Sequence, residues 1–111
     1  MITRFAFFEG HVAPERAAEF RKAVIEELVP TWQVFPGASA VRVTFATERD
    51  EGAPEMPMML AVDYPDRAAL ERALASQERI DSRAATQRVL PRFGSFRIHH
   101  HITDAESFPA L

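Results

Sequence analysis

Three consecutive histidines, His99, His100 and His101, lie in the run from Gly94 to Asp104 near the end of the chain. An imidazole titrates near neutral pH, so it can move a proton or bind a metal ion. Aromatic and β-branched residues surround the histidines, which predicts a strand and argues against a terminal purification tag. Successive side chains of a strand alternate between faces, so His99 and His101 share one face with Arg97, and His100 points to the other.

His99 is the strongest candidate for chemistry, as a general base that takes a proton from a phenol or an acidic carbon. His99 and His101, ~6–7 Å apart at their Cα atoms, could also bind one metal ion, with Asp63 completing the set. We assign no metal site, because two histidines without a third nearby ligand are a weak signal. The alternative is that they line a cavity or interface without chemistry. His100 is expected on the core face as a hydrogen-bonded core residue.

The segments that must position these histidines alternate between strand and helix. Strands are predicted over 2–12, 38–47, 58–64 and 95–103, and helices over 13–28 and 65–93. Pro30 should end or kink the first helical region, whereas Asp66 should cap the second and Ser76 should break it. The order β-α-β-β-α-β predicts a ferredoxin-like α+β fold with antiparallel sheet order 4-1-3-2 and both helices on one face. Residues 1–111 are expected to form a single domain.

Alternation along the strands assigns the sheet residues to two faces. The face toward the helices is predicted to collect Phe5, Phe7, Val41, Val43, Phe45, Leu60 and Val62. The opposite face is predicted to collect Arg4, Ala6, Phe8, Arg42, Thr44, Ala46, Met59, Ala61, Asp63, Arg97, His99 and His101. Because large apolar side chains mixed with charges make a poor solvent surface, this second face predicts a homodimer whose sheets pack face to face around a cavity.

When residues of that face are aligned across neighbouring antiparallel strands, Asp63 is predicted to lie in one cross-strand row between Arg4 and Arg42. Small side chains are predicted beside His99 in the next row. The predicted catalytic residues are therefore His99, Asp63 and Arg42. Further ligand-binding residues are predicted to be Arg4, Thr44, His101, Arg97 and Phe8. A purely structural role for the row of Asp63 and the two arginines is the alternative, because buried polar groups require partners.

Composition limits the classes of function. The chain has 111 residues, a formal net charge of −3 and no cysteine. Acidic residues interleave with the arginines, so no nucleic-acid partner is predicted. The absence of cysteine excludes disulfides and thiolate chemistry and fits a cytoplasmic location. No apolar run reaches the ~20 residues of a membrane helix, so no membrane partner is predicted, and the chain carries no phosphate-binding or dinucleotide-binding motif.

Three stretches resemble the dimeric α+β barrel superfamily, and most closely its small antibiotic-biosynthesis-monooxygenase-like members. They are ERAAEFRKAVIEELVPTW (residues 15–32), FPGASAVRV (35–43) and VDYPDRAALERALASQERIDSRA (62–84). The resemblance implies a homodimer with sheets packed face to face. It also implies relatives that include cofactor-independent oxygenases of polycyclic phenols, haem-degrading enzymes and lactone isomerases.

This chain departs from the resemblance at Tyr64, where such relatives often carry a tryptophan, and it lacks the asparagine, tryptophan and histidine set of the haem degraders. No catalytic residue is therefore carried over.

Two hypotheses about function follow. The first is a small enzyme without a cofactor, an oxygenase or isomerase acting on a small aromatic or carbonyl compound in a cavity between sheet and helices or between two sheets. The second is a barrel without catalytic activity that binds a small ligand or takes part in a stress response.

Overall fold

A computed structural model describes all 111 residues and contains one four-stranded antiparallel sheet. The strands are β1 (Ile2–Gly10), β2 (Ala40–Phe45), β3 (Met58–Tyr64) and β4 (Phe96–Asp104). The α-helices are α1 (Ala17–Ala23), α2 (Val29–Gln33), α3 (Arg67–Leu74) and α4 (Gln77–Val89). The spatial order β2-β3-β1-β4 is the predicted order, so the ferredoxin-like α+β fold is confirmed.

The first helical region contains a π-helical segment. A 3-10 turn, Pro14–Arg16, leads into α1, and the π-helical segment Val24–Leu28 connects α1 with α2. Its wider turn is visible in the bond from the N–H of Val29 to the carbonyl of Val24, five residues back. Because Pro30 has no N–H and its ring crowds the preceding turn, the helix can continue past it only with such a local adjustment. The helix therefore continues past Pro30 to Gln33, and Trp32 in this last segment is buried.

The second helical region is divided by two side-chain caps. The carboxylate of Asp66 accepts a 2.8 Å hydrogen bond from the N–H of Ala69 at the start of α3. The hydroxyl of Ser76 accepts a 3.2 Å bond from the N–H of Arg79 at the start of α4. Each cap satisfies an amide that has no partner within its own helix, which is why the helix begins there. The predicted cap and break are both confirmed.

Replacing Asp66 with alanine should lower the free energy of unfolding by about 1 kcal/mol, because the amide of Ala69 loses its acceptor at the end of a helix. Urea denaturation of the variant and the wild type would measure this difference. Asp50→Ala in the exposed loop after β2 is the matched control, with an expected change below about 0.5 kcal/mol. Equal destabilisation by the two substitutions would contradict the capping role.

The hydrophobic core lies between the sheet and the helices. Alternate residues of β3 point into it, and Met58, Leu60, Val62 and Tyr64 are all less than 7% exposed. The helices contribute apolar stripes at helical spacing against this face. The buried helical side chains are Phe20, Ala23, Val24, Leu28, Trp32, Ala69, Leu70, Ala73, Ala85 and Val89.

The predicted face of β1 is wrong, whereas the predicted faces of β2, β3 and β4 are correct. Ala6 pairs with Leu60 and Phe8 pairs with Met58, and all four residues are buried toward the helices. Arg4 shares this side of β1. Phe5 and Phe7 therefore point to the opposite face of the sheet, which no other element of the chain covers.

Both alternating sets of β1 contain phenylalanine, so hydrophobicity did not distinguish them. Packing decides the orientation because the small side chain of Ala6 and the ring of Phe8 fit beneath Trp32. The ring centroids of Phe8 and Trp32 are 6.4 Å apart. Arg4 is accommodated on the same side because a cavity opens there.

Candidate active site

A cavity of about 540 Å³ lies between the sheet and the helical layer. Its volume falls within the range of about 300–1,000 Å³ that is usual for small-molecule sites. One wall is the helix-facing side of the sheet, another is α4, and the third is the end of the first helical region. The lining residues are Arg4, Ala6, Phe8, Trp32, Phe35, Leu60, Arg79, Ser82, Arg83, Thr86, Gln87, Phe96, Ile98 and His100.

The wall formed by α4 is polar. Arg79, Ser82, Arg83 and Thr86 recur at intervals of three and four residues, so they share one face of the helix. The hydroxyl of Ser82 donates to the carbonyl of Arg79 and that of Thr86 donates to the carbonyl of Ser82, each at 2.9 Å. Both hydroxyl oxygens keep lone pairs that can accept a further bond. A helix that turns this face toward a sheet gives up apolar packing, which favours a binding role for the cavity.

The opposite walls are apolar. Trp32 and Phe35 close the cavity at the end of the first helical region, and Phe8 lies next to Trp32 on β1. Phe96 and Ile98 continue this lining along β4. Aromatic walls suit a flat apolar molecule, and the polar groups on α4 can fix its orientation.

His100 lies at the rim of the cavity, where the edge strand β4 extends beyond the helices. The residue is exposed, but it faces the guanidinium groups of Arg4 and Arg79. Partial desolvation lowers the pKa of His100 to about 4, and the positive charges of Arg4 and Arg79, with a smaller contribution from His99, act in the same direction. His100 is therefore neutral at pH 7 and able to accept a proton.

Arg4 is partly buried beside His100. Burial lowers the pKa of Arg4, the charge of Arg79 lowers it further, and Tyr64 partly opposes these effects. Guanidinium remains protonated at neutral pH even so. The cavity therefore combines a neutral imidazole with a fixed positive charge.

Sequence reasoning placed His100 on the correct face but treated it as part of the core. The polar face of α4 could have identified its role. A polar helix face that packs over the sheet would lie close to a histidine on the covered side of an edge strand, and together they would line a polar site. Arg4 and Phe8 were predicted to bind ligand on the opposite face. They line this cavity instead, for the packing reason given for β1.

The other predicted site residues lie on the uncovered face of the sheet. His99 and His101 are neighbours there, with ring centroids 6.0 Å apart, but neither is brought together with Asp63 or Arg42. Asp63 pairs with Thr3, whose hydroxyl donates to it at 2.6 Å, and not with an arginine. His99 pairs with Phe7, four residues farther along β1, which is about 13 Å along the strand direction. Arg42 lies on the edge strand β2, and β2 is about 14 Å across the sheet from β4, the strand that carries His99. The predicted row is wrong, and the catalytic roles of His99, Asp63 and Arg42 stay predictions.

We define the open face as the uncovered side of the sheet, formed by the residues Thr3, Phe5, Phe7, Glu9, Ala40, Arg42, Thr44, Met59, Ala61, Asp63, Arg97, His99, His101 and Thr103. Its centre is aromatic. The ring of Phe7 lies 5.9 Å from that of Phe5, 5.4 Å from that of His99 and 5.1 Å from that of His101. The Nδ1 atom of His99 is buried and has no hydrogen-bond partner. Nowhere in the chain are three or more histidine or carboxylate side chains placed to hold a metal ion.

Comparison with solved structures places this fold among known proteins. An EthD family protein from Bacillus halodurans has a TM-score of 0.74 at 19% identity, over 96% of this chain and 99% of the other. SnoaB, a cofactor-independent oxygenase from Streptomyces nogalater, has a TM-score of 0.59 at 20% identity, over 96% of this chain and 94% of the other. A dimeric ferredoxin-like protein from an uncultured marine organism has a TM-score of 0.66 at 11% identity, over the full length of both chains.

These similarities confirm the predicted resemblance to the dimeric α+β barrel superfamily at the level of the fold. No protein-family model and no curated protein sequence matches the chain. None of the helices is both long enough and apolar enough to cross a lipid bilayer. At such low identity, the activity has to be argued from the chain's own residues.

Proposed function

We propose that this protein is an enzyme that removes a proton from a small aromatic or carbonyl compound bound between the sheet and the helices. His100 is the base. The observation that carries the proposal is that a neutral histidine and the guanidinium of Arg4 line one cavity of suitable volume. The occurrence of a cofactor-independent oxygenase, SnoaB, on the same fold supports this class of reaction.

The proposed first step uses groups that the cavity already contains. An O–H bond of a phenol, or a C–H bond next to a carbonyl, breaks and its proton moves to a ring nitrogen of His100. The electron pair stays on the substrate as a phenolate or enolate. The charge that develops on the oxygen is stabilised by Arg4, because a preorganised cation favours an oxyanion. The apolar walls hold the ring system in place while this occurs.

The resulting anion can react in two ways, which correspond to the oxygenases and isomerases that the family resemblance implies. In an isomerase, His100 returns the proton to a different atom and no other reactant is needed. In an oxygenase, the electron-rich anion reduces O₂ itself. A CH₂ group then becomes C=O and the second oxygen atom leaves as water, so the substrate supplies all the electrons and no cofactor is required.

Turnover should be detectable in a screen of polycyclic phenols and small lactones, with the products identified by mass spectrometry in air and under nitrogen. A product that forms only in air and contains one added oxygen atom would identify an oxygenase. A product of unchanged mass that forms under both conditions would identify an isomerase. Binding of panel members without any product would contradict the enzymatic proposal.

A ligand-binding protein without catalytic activity is the second candidate. It is favoured by the same lowered pKa, because an imidazole with a pKa of about 4 is a weak base. In that case Arg4 and the face of α4 orient a bound molecule and nothing further happens. Binding without turnover is the result that this candidate requires.

We also propose that two chains associate through the open face. Phe5 and Phe7 are only half-buried there, and the buried Nδ1 of His99 has no partner within the chain. A second copy could cover the rings and supply that partner. The dimeric state of one ferredoxin-like protein of this fold supports the proposal. The cytoplasmic location expected from composition stays a prediction.

A further inference from the structure

The cavity has a second chemical feature that proton transfer from a neutral substrate does not require. Three of its lining residues are arginines, namely Arg4, Arg79 and Arg83, and none of its lining residues is an aspartate or glutamate. The chain as a whole has more acidic than basic residues, with a net charge of −3. The positive charge in the cavity is therefore a local feature of the site.

These arginines are not neutralised within the chain. Arg16, the other partly buried arginine, pairs with Glu19, and on the surface Arg92 pairs with Glu27. By contrast, Arg4 and Arg79 are partly buried and form no ion pair. The only side-chain hydrogen bond of either is from Arg79 to the carbonyl of Leu74, at 3.1 Å. A partly desolvated charge without a partner is unfavourable, so a cavity lined by two such charges is suited to an incoming anion.

The arginines line two walls of the cavity, and the charge of Arg79 still reaches Arg4 and His100. Arg4 lies on β1 beside His100, whereas Arg79 and Arg83 lie one helical turn apart on α4, on the opposite wall. A permanent anion bound by α4 would leave Arg4 and His100 free to act on a different part of the same molecule. The aromatic side chains that line the same cavity suit a flat apolar body.

We propose that the natural ligand is an organic carboxylate with a flat apolar body, whose carboxylate is bound by Arg79 and Arg83 and whose reactive group faces His100. Guanidinium groups suit this partner because they can donate two parallel hydrogen bonds to one carboxylate. The hydroxyl of Thr86 and the amide of Gln87 lie on the same wall and can complete its solvation. This inference adds a substrate class to the proposed function but is tested by binding alone.

Calorimetric titration with benzoate, 2-naphthoate and anthracene-2-carboxylate, each beside its methyl ester, tests the proposal. We expect at least one acid to bind about 10-fold or more tightly than its ester, which is the size of effect typical of a charge-assisted hydrogen bond. Equal binding of every acid and its ester, or no binding by any acid, would overturn the proposal without requiring a variant.

Variants then locate the anion. Arg83→Met, at an exposed position of α4, and Arg79→Met should each weaken binding of the preferred acid about 10-fold and leave the ester within about twofold. Arg88→Met, on the same helix but outside the cavity, is the matched control and should change neither. Circular dichroism checks the folding of Arg79→Met, and Arg83→Met decides the result if that variant is unfolded. An unchanged affinity in Arg83→Met, or an equal loss in Arg88→Met, would refute the assignment.

The two proposals fail separately. Binding of carboxylates with no turnover of any compound would contradict the enzymatic function and support the anion site. Turnover of neutral phenols, combined with equal binding of acids and esters, would support the enzymatic function and contradict the proposal that the substrate is a carboxylate.

Discussion

Replacing His100 with glutamine is expected to lower kcat/KM at least 100-fold for any compound that the enzyme turns over. A positioned general base contributes roughly 10²–10⁴-fold to a rate, and glutamine keeps a polar side chain that cannot take up a proton. His100 is exposed at the rim of the cavity, so the substitution should leave the fold intact. Steady-state kinetics, with circular dichroism as the check on folding, would measure the effect.

His99→Gln is the matched control, because it changes the adjacent histidine on the other side of the same strand. It should keep kcat/KM within about threefold if the reaction occurs in the cavity. The opposite outcome, loss of turnover in His99→Gln and activity in His100→Gln, would move the chemistry to the open face and support the role predicted for His99 from sequence.

The pH profile gives an independent check on the same base. Because the pKa of His100 is lowered to about 4, the neutral form needed to accept a proton predominates above that pH. The kcat/KM of the free enzyme should therefore stay level from pH 8 down to about pH 5 and fall only toward pH 4. A fall centred between pH 6 and 7 would assign the reaction to a different group.

Replacing Phe7 with glutamate is expected to dissociate the proposed dimer. Phe7 lies at the centre of the aromatic cluster on the open face, in contact with Phe5, His99 and His101. The dimer would bury one unpaired carboxylate from each chain, at a cost of about 3–5 kcal/mol each, so the dissociation constant should rise more than about 1,000-fold. Light scattering at micromolar concentration should show a dimer for the wild type and a monomer for the variant.

Phe108→Glu provides the control for this experiment, since it introduces the same charge on the tail, where the side chain is 80% exposed. It should leave the mass in solution unchanged. A wild-type protein that is monomeric at these concentrations, or a Phe7→Glu variant that remains dimeric, would contradict the proposed face-to-face dimer.

The sequence carries enough information to predict the fold because local signals agree in most of the chain. Asp66 and Ser76 are helix caps, and the side-chain oxygen of each accepts a bond from a backbone amide three residues later. Because this signal is local, it marks the start of a helix without information about the rest of the molecule. Alternation in β3 is strong because one face is fully buried. The order of elements then restricts the sheet to few topologies.

Strand register could not be obtained in the same way. It depends on which side chains fill the space beneath the helices, and β1 offers two nearly equivalent choices, Phe5 with Phe7 or Ala6 with Phe8. Charge complementarity suggested that Asp63 pairs with arginine, but its actual partner is the hydroxyl of Thr3. A shift of one residue moves every side chain of a strand to the other face, which is why one error relocated Arg4 and Phe8.

The cavity was beyond prediction for a related reason. It exists because α4 presents Arg79, Ser82 and Arg83 to the sheet, and periodicity alone does not reveal which face of a weakly amphipathic helix turns inward. The sequence supplied the residue types of the site, and the three-dimensional placement of α4 decided which of them meet.

The alternation of β1 and β4 has a thermodynamic consequence. Arg4 and His100 belong to the cavity, whereas their neighbours Phe5 and His99 belong to the opposite surface, so a single peptide unit separates the two environments on each strand. In the proposed dimer, a shift of these backbones on association would also move the side chains that line the cavity. Linkage then requires reciprocity: a ligand that prefers the associated form must strengthen association by the same factor. Such a ligand would bind concentrated protein more tightly than dilute chains.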